Sequence, residues 1–306
     1  MRQAVFEALY EVARKNEDVI LLVSDTGAIV LDQFRAEMPE RIINVGIAEQ
    51  NMIGVAAGLA MEGKKVYAYA IIPFVTMRCY EQIRVDLCCE SLPVKLLGVG
   101  PGYDYSTLGP THHGLEDMAL MRALPGMQVF SPCDETQARV FMDLVLDHPG
   151  PSYLRLDRTG TPLIYAPGDK DFTAGWRELR KGRGLCIVAT GGMVRTALAA
   201  AEALAPTLGQ IGVIDLYRVK PLPEETLWQT LSTYTRVATL EEHSRIGGMG
   251  SAVAELLAER APGPRLMRLG LADQVCRQYG SREDLLTIVG LELETVTRRL
   301  RAFATT

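Results

Sequence analysis

The residues best suited to acid–base chemistry lie in three separate segments of this sequence. Asp25 follows a short apolar run, Glu49 lies near a predicted helix start, and His112 and His113 lie in a loop rich in glycine and proline. Carboxyl and imidazole groups can hold or move a proton near neutral pH, as general acid–base catalysis requires. Each also has a structural interpretation, because a helix dipole favours a carboxylate in the first turn and a loop histidine is commonly a surface residue.

Two glycine-rich segments are candidates for binding a phosphate group. Gly98-Val99-Gly100-Pro101-Gly102 has neither the Walker pattern nor Gly-x-Gly-x-x-Gly, which favours a plain mobile loop. Gly247-Gly248-Met249-Gly250 precedes a predicted helix, where tight packing is the commoner explanation. Glycine content alone therefore assigns no phosphate site.

The elements that must position these residues alternate between buried strands and helices, as in a parallel sheet covered by helices. In such sheets the ligand lies at the carboxyl ends of the strands, which is where Asp25, Glu49 and the 98–114 loop fall. Helices are predicted before the first strand, from Ala48 to Gly63, and around Tyr80, Ile83 and Leu87. The strands predicted in this half are 19–23, 66–72, 94–99, 128–130 and 152–156.

The second half repeats the alternation, so the pattern predicts two doubly wound α/β domains. We predict domains at 1–160 and 183–306, joined by a linker at 161–182 in which the pattern dissolves into glycine, proline and charge. The predicted strands here are 185–189, 211–215 and 237–240, and the predicted helices lie near 195–205, 224–233, after 250 and near 291–303.

Composition excludes several classes of function. The 306 residues are 48% hydrophobic and carry a net charge of −5 without blocks of like charge, which argues against binding to nucleic acid or anionic membranes. No apolar stretch approaches the roughly 20 residues of a membrane span, and the N-terminus does not resemble a signal peptide. The six cysteines lack zinc-like spacing, so we expect reduced thiols and a cytoplasmic location.

Several separated motifs, taken together, resemble the transketolase family. The motifs are Val45-Gly46-Ile47-Ala48-Glu49-Gln50-Asn51-Met52, Gly109-Pro110-Thr111-His112, Leu115-Glu116-Asp117-Met118-Ala119-Leu120-Met121-Arg122-Ala123-Leu124-Pro125, and Glu241-Glu242-His243 followed by Gly247-Gly248-Met249-Gly250. The resemblance covers the carboxyl-terminal half of the usual transketolase chain. It implies a mostly parallel pyrimidine-binding domain for thiamine diphosphate at 1–160 and a smaller transketolase C-terminal-type α/β domain at 183–306.

The resemblance also implies a partner chain. In this family a separate amino-terminal domain holds the diphosphate and Mg²⁺ through a Gly-Asp-Gly motif, which this sequence lacks; Gly168-Asp169-Lys170 lies in the predicted linker. We therefore expect a split transketolase of carbohydrate metabolism, with an amino-terminal-half subunit completing an α2β2 heterotetramer. The metal site is expected on the partner, and this chain alone is expected to be inactive.

The resemblance assigns roles to individual residues. Glu49 corresponds to the glutamate that faces the aminopyrimidine ring nitrogen, where a carboxyl group favours the tautomer that the chemistry requires. Phe74 corresponds to the aromatic residue that stacks on this ring, with Ile71 and Met77 beside it. Asp25 corresponds, more weakly, to an acidic residue near the cofactor and the subunit contact.

Two further residues correspond to the substrate side. His112 corresponds to a histidine that donates to a developing alkoxide or relays a proton. Arg158 corresponds to an arginine that binds the substrate phosphate, and an ordinary surface salt bridge is its structural alternative.

The sequence departs from sugar transketolases on the substrate side. Leu108 replaces an aspartate that binds substrate hydroxyl groups, and Gly100 falls where another histidine is found. A site without these groups discriminates less well for the usual hydroxyl pattern, which favours a modified sugar or a specialised pathway. Tyr103, Asp104 and Tyr105 are candidate replacements whose position the sequence does not determine.

Two alternatives remain at this stage. One is a subunit of a decarboxylating carboligase, similar to deoxyxylulose-phosphate synthase or the beta-type chain of 2-oxo-acid dehydrogenases. The other is a non-catalytic scaffold subunit, against which the pairing of Glu49 with Phe74 argues. For the C-terminal domain, Glu241-Glu242-His243 and the glycine-rich turn predict packing and an interface rather than catalysis.

Overall fold

A computed structural model describes residues 1–26, 31–160 and 162–305. It contains one seven-stranded and one five-stranded sheet. The predicted α/β class with two sheets is confirmed. The strands of the first half are β1 (Val19–Val23), β2 (Ile42–Asn44), β3 (Lys65–Ile71), β4 (Lys95–Val99), β5 (Gln128–Phe130) and β6 (Ser152–Leu156).

Helices connect these strands and cover both faces of the sheet. They are α1 (Arg2–Lys15), α2 (Asp32–Glu37), α3 (Glu49–Met61), α4 (Ile72–Thr76), α5 (Tyr80–Gln82), α6 (Asp117–Ala123) and α7 (Glu135–Leu144). All neighbouring pairs among β1–β6 are parallel. Strands β1, β4 and β6 are buried along their whole length, as the continuous apolar runs predict.

The helix predicted around Tyr80, Ile83 and Leu87 has an irregular second part. After α5 the backbone continues as a π-helix at Ile83–Cys89. Five-residue spacing brings Ile83 and Cys88 to the same side, and both are buried with Leu87. The wider turn of the π-helix thus places these three side chains on one buried face, whereas the 3.6-residue turn of an α-helix would rotate Ile83 and Cys88 away from each other.

The second half forms a sheet with its own helices. Its strands are β7 (Arg177–Arg180), β8 (Leu185–Ala189), β9 (Gly212–Asp215), β10 (Arg218–Lys220), β11 (Arg236–Ser244) and β12 (Arg265–Leu271). Its helices are α8 (Met193–Leu208), α9 (Glu224–Leu231), α10 (Met249–Glu259), α11 (Arg282–Val289) and α12 (Leu293–Thr305). The strand order is β10-β5-β6-β4-β3-β1-β2 in the seven-stranded sheet and β12-β11-β8-β9-β7 in the five-stranded sheet.

The sequence pattern did not predict β2, β7, β10 or β12, and two of these four strands bear on the division into two halves. The predicted linker 161–182 contains β7, which pairs antiparallel with β9 at the sheet edge; its sequence Arg-Glu-Leu-Arg is too polar to be recognised as a strand. Strand β10 leaves the second half and pairs antiparallel with β5 of the first sheet. Lys220 of β10 also donates through Nζ to the Arg122 carbonyl at 2.8 Å, which ties the two halves together.

A buried ion pair lies where the two halves meet. Arg155, in the middle of β6, donates through Nε to Asp117 Oδ2 at 2.8 Å. Its Nη2 donates to the carbonyls of Gly114 at 2.8 Å and Glu242 at 3.0 Å. His243 lies beside Asp117, and burial lowers its pKa to about 4, so the imidazole is neutral at pH 7. One guanidinium therefore connects two segments of the first half with β11 of the second.

Replacing Arg155 should strongly destabilise the fold. Arg155→Met leaves the buried carboxylate of Asp117 without its cation, a loss that typically costs about 3–5 kcal/mol. Urea unfolding of the full chain measures the change. Arg35→Met is the matched control, since the Arg35–Asp32 pair is 44% and 65% exposed and should contribute less than about 1 kcal/mol. Equal effects of the two variants would contradict the role assigned to Arg155.

Candidate functional site

The candidate residues collect at the carboxyl ends of the parallel strands. Asp25 follows β1, Glu49 begins the helix after β2, and Phe74 lies in the short helix after β3. The loop with His112 follows β4, and Arg158 lies two residues after β6. Because these strands are parallel, their carboxyl ends share one sheet edge, where ligands of doubly wound sheets bind.

Glu49 is a buried carboxylate with an exposed cationic partner. It is the first residue of α3, only 2% of its side chain is exposed, and Oε2 accepts a hydrogen bond from Arg78 Nη1 at 2.6 Å. Its position in the first helical turn also fits the helix-dipole interpretation. The carboxylate therefore lies in a favourable but poorly hydrated position, where Arg78 supplies its counter-charge.

Arg78 also contacts the predicted aromatic residue. Its guanidinium carbon lies 4.6 Å from the centre of the Phe74 ring, while 44% of its side chain is exposed. Arg78 was not among the residues predicted from the sequence. It lies in the turn between α4 and α5, outside the motifs that resemble the family, so no local pattern singled it out.

An aromatic row extends from Phe74 towards Arg158. The Phe74 and His112 ring centres are 5.1 Å apart, and those of His112 and Tyr105 are 6.1 Å apart. The Arg158 guanidinium lies 4.9 Å from the Tyr105 ring centre. With the Glu49–Arg78 pair at the other end, these contacts form one continuous row, which we call the site row: Glu49, Arg78, Phe74, His112, Tyr105 and Arg158.

The two neighbouring histidines differ in environment. His112 lies in the site row, and its Nδ1 is 2.9 Å from Thr111 Oγ1. Partial burial lowers its pKa, which favours the neutral imidazole that can accept or donate a proton. His113 is buried against the Tyr103 ring, with the centres 4.9 Å apart. Of these two histidines, His112 contacts the rings of the site row and His113 does not.

The remaining predicted cofactor residues are Ile71, Met77 and Asp25. Ile71 ends β3 and Met77 caps α4, so both half-buried side chains flank Phe74 along the chain. Asp25 has a left-handed φ of 52° and is paired with Asn44, whose Oδ1 accepts from the Asp25 amide at 2.9 Å and whose Nδ2 donates to Asp25 Oδ1 at 3.2 Å. This pair joins the ends of β1 and β2, and Asp25 is not part of the site row.

The three candidate replacements on the substrate side have different positions. Tyr103 is buried, and its amide donates to Glu242 Oε1 at 2.7 Å. The Asp104 carboxylate accepts from the Arg158 amide at 2.5 Å. Only Tyr105 of the three belongs to the site row. Its ring packs against Gly100, where a Cβ atom would lie 2.3 Å from the ring carbons.

The C-terminal motif supports packing, as predicted. Glu241 accepts hydrogen bonds from the amides of Met249 at 2.7 Å and Gly250 at 2.8 Å, at the start of α10. Burial raises the pKa of Glu241 to about 7.

In the described part of the chain, no helix is both long and apolar enough to cross a bilayer.

Two family profiles match most of the chain. The family profile described as "Transketolase, pyrimidine binding domain" matches residues 1–162, and the profile "Transketolase, C-terminal domain" matches residues 174–296. Family membership implies a dependence on thiamine diphosphate.

Individual relatives cover nearly the whole chain. One of the subunits of the apulose-4-phosphate transketolase of Phocaeicola vulgatus is 35% identical over 304 residues, which cover 99% of this chain and 96% of the relative. A 6-deoxy-6-sulfo-D-fructose transketolase subunit of Clostridium sp. is 39% identical, covering 89% and 85%.

A solved structure shows the same correspondence. The protein described as "Split gene transketolase, inactive beta4 tetramer" has a TM-score of 0.91 and 36% identity, with 99% of this chain and 98% of that chain covered. Both profiles match in the expected order, and the relatives are subunits of comparable length. This chain belongs to the transketolase family and corresponds to the C-terminal subunit of a split transketolase.

Proposed function

We propose that this chain provides the pyrimidine-binding half of a transketolase site that transfers a two-carbon ketol unit from a ketose to an aldehyde. The site row carries this proposal, because it places a buried carboxyl group and an aromatic face at one end and a guanidinium suited to phosphate at the other. The donor is a phosphorylated or otherwise modified sugar.

The residues at the Glu49 end fit the aminopyrimidine ring of thiamine diphosphate. Arg78 supports this fit, because its guanidinium is a planar group of carbon and nitrogen that bonds to Glu49 and lies over Phe74. An aminopyrimidine offers a similar flat face, and its ring nitrogen presents an N–H to a carboxylate when it is protonated. We infer that Arg78 occupies this place in the free subunit and moves towards solvent when the cofactor binds.

The bound cofactor would supply the carbon that accepts the ketol unit and passes it to the aldehyde. Glu49 would hold the hydrogen bond to the aminopyrimidine ring nitrogen, and Phe74 would fix the plane of this ring. His112, with a neutral imidazole, would exchange a proton with the substrate oxygen. Arg158 would bind the substrate phosphate and so fix the distance between the reacting carbon and His112.

A partner subunit would complete the site. Within the described residues, no group of three or more His, Cys, Asp or Glu side chains is arranged to hold a metal ion. We propose that an amino-terminal-half subunit holds the diphosphate and Mg²⁺ in an α2β2 heterotetramer. We place this enzyme in the cytoplasm, where thiols stay reduced, because its six cysteines lack zinc-like spacing and lie mostly in apolar segments.

The substrate side supports a specialised sugar. Leu108 is 49% exposed in the turn before Gly109 and offers no hydrogen bond to a hydroxyl group. The relatives named above act, by their names, on apulose 4-phosphate and on a sulfonated deoxyfructose. Comparable rates with xylulose 5-phosphate and with a modified ketose would contradict this specialisation.

The subunit requirement is directly testable. The purified chain alone should show no ketol transfer with thiamine diphosphate and Mg²⁺, and addition of the amino-terminal-half subunit should restore it. Native mass spectrometry should show two copies of each chain. Turnover by the chain alone would contradict the proposal, and release of carbon dioxide from a 2-oxo acid donor would favour a decarboxylating carboligase.

Glu49→Gln in the assembled enzyme should lower kcat by a factor of about 10²–10⁴, because an amide cannot exchange the proton that a carboxyl group can. Ketol transfer is measured under saturating donor, with circular dichroism as the check on folding. Glu62→Gln, at an exposed position just after α3, is the matched control and should leave kcat unchanged. Near-native activity of Glu49→Gln would refute the assigned role.

Arg78→Met should strengthen cofactor binding. Displacing a partly exposed ion pair costs about 0.5–1 kcal/mol, so its removal should lower the Kd of thiamine diphosphate roughly two- to fivefold. Isothermal titration of the assembled enzyme measures the change, with Arg84→Met at an exposed position as the control. Weaker binding would instead show that Arg78 helps to hold the cofactor.

A further inference from the structure

Arg282 of the C-terminal half lies among three carboxylates. Its Nη2 donates to Glu242 Oε2 at 2.7 Å and its Nη1 to Asp157 Oδ1 at 2.9 Å, while Asp104 Oδ1 is 4.0 Å from Nη1. All three carboxylates are buried. We call these four residues the Arg282 cluster; Asp104 and Asp157 belong to the first half, and Arg282 and Glu242 to the second.

The carboxylates of this cluster hold the backbone of the substrate side. Glu242 Oε1 accepts from the Tyr103 amide at 2.7 Å, and Asp104 Oδ2 accepts from the Arg158 amide at 2.5 Å. Tyr103 and Asp104 directly precede Tyr105 of the site row. The cluster therefore fixes both backbone segments from which Tyr105 and Arg158 project.

The segment that carries Arg282 is itself anchored. Ser281 caps α11: its Oγ accepts from the Asp284 amide at 3.1 Å, and its own amide donates to Asp284 Oδ2 at 2.9 Å. Nearby, the Tyr279 ring lies so close to Gly109 that a Cβ atom there would be 2.7 Å from the tyrosine oxygen. The same short segment thus contacts the substrate side on both flanks of the 103–109 turn.

We propose that Arg282 is a positioning residue for substrate binding, which holds Tyr105 and Arg158 in the geometry that receives the substrate phosphate. The inference rests on the proposed function and extends it to the C-terminal domain. Without Arg282, three carboxylates would face one another with no shared cation, and their repulsion would move the 103–105 segment and the Arg158 backbone.

Because charged groups surround Asp104, the positioning role of Arg282 predicts a change in the pH dependence of kcat/KM. Burial and the neighbouring Asp157 raise the pKa of Asp104 to about 6, while Arg282 and Arg158 lower it. The Met1 ammonium, the Tyr105 hydroxyl and Glu242 also face this region. Removal of Arg282 should raise the pKa of Asp104 further, so the acid limb of kcat/KM should move to higher pH.

The test uses the assembled enzyme with a phosphorylated ketose donor. Arg282→Met should raise the donor KM about tenfold or more, as expected when a binding group is displaced, with kcat changed less and the Kd of thiamine diphosphate unchanged. Arg282→Lys should give an intermediate KM. Arg158→Met measures the rise in donor KM when the phosphate-binding guanidinium itself is lost. Arg277→Met, at an exposed position in the same segment as Arg282, is the control.

Binding of inorganic phosphate provides a readout that needs no turnover. Isothermal titration should show weaker phosphate binding in Arg282→Met than in the wild-type complex. An unchanged donor KM and phosphate affinity would overturn the proposal, as would a parallel loss of cofactor affinity, which indicates a general structural role. If Arg282→Met fails to fold, the donor KM and phosphate affinity of Arg282→Lys are compared with those of the wild-type complex instead. A wild-type complex that binds phosphate but transfers no ketol unit would overturn the proposed function and not this inference.

Discussion

The arrangement of the site depends on Glu242, a buried residue of β11 that contacts the buried Arg155 and the partly exposed Arg282. Its carbonyl accepts a hydrogen bond from Arg155 of the first sheet, and its carboxylate pairs with Arg282 and accepts from the Tyr103 amide. Buried charges are tolerated only when they are paired and hydrogen-bonded, so these contacts must form together. The two halves of the chain therefore have one relative position in which all these groups are satisfied.

The Glu242 contacts explain how the C-terminal half, which contributes no residue to the site row, still fixes the position of the site. The first half supplies every residue of the row, because the carboxyl ends of its parallel strands meet at one edge. The loop after β4 has backbone hydrogen bonds of its own, such as that from the Asp104 amide to the Pro101 carbonyl at 3.1 Å. The Glu242 carboxylate, paired with Arg282, adds a bond from the Tyr103 amide, and Tyr279 covers the turn at Gly109.

At the Glu49 end of the site, a buried charge likewise requires a partner. The Glu49 carboxylate is removed from water, so it needs a partner in the free subunit, and Arg78 provides one from a flexible and partly exposed side chain. Because Arg78 is partly exposed, a ligand can replace it as the partner of Glu49 at a low cost in free energy. The substrate end, by contrast, is backed by several buried carboxylates that are bonded to its backbone and to Arg282.

The sequence by itself determined the α/β class, most of the strands, the placement of Glu49, Phe74, His112 and Arg158, and the family. These features are local: apolar runs, helical spacing and contiguous motifs carry them. The tertiary structure alone decided that β7 extends the second sheet into the predicted linker and that β10 pairs with β5. It also brought Arg78 to Glu49 and Arg282 to Asp104 and Asp157. Such contacts join distant parts of the chain, so they depend on strand register and on the packing of the two halves, which no local pattern specifies.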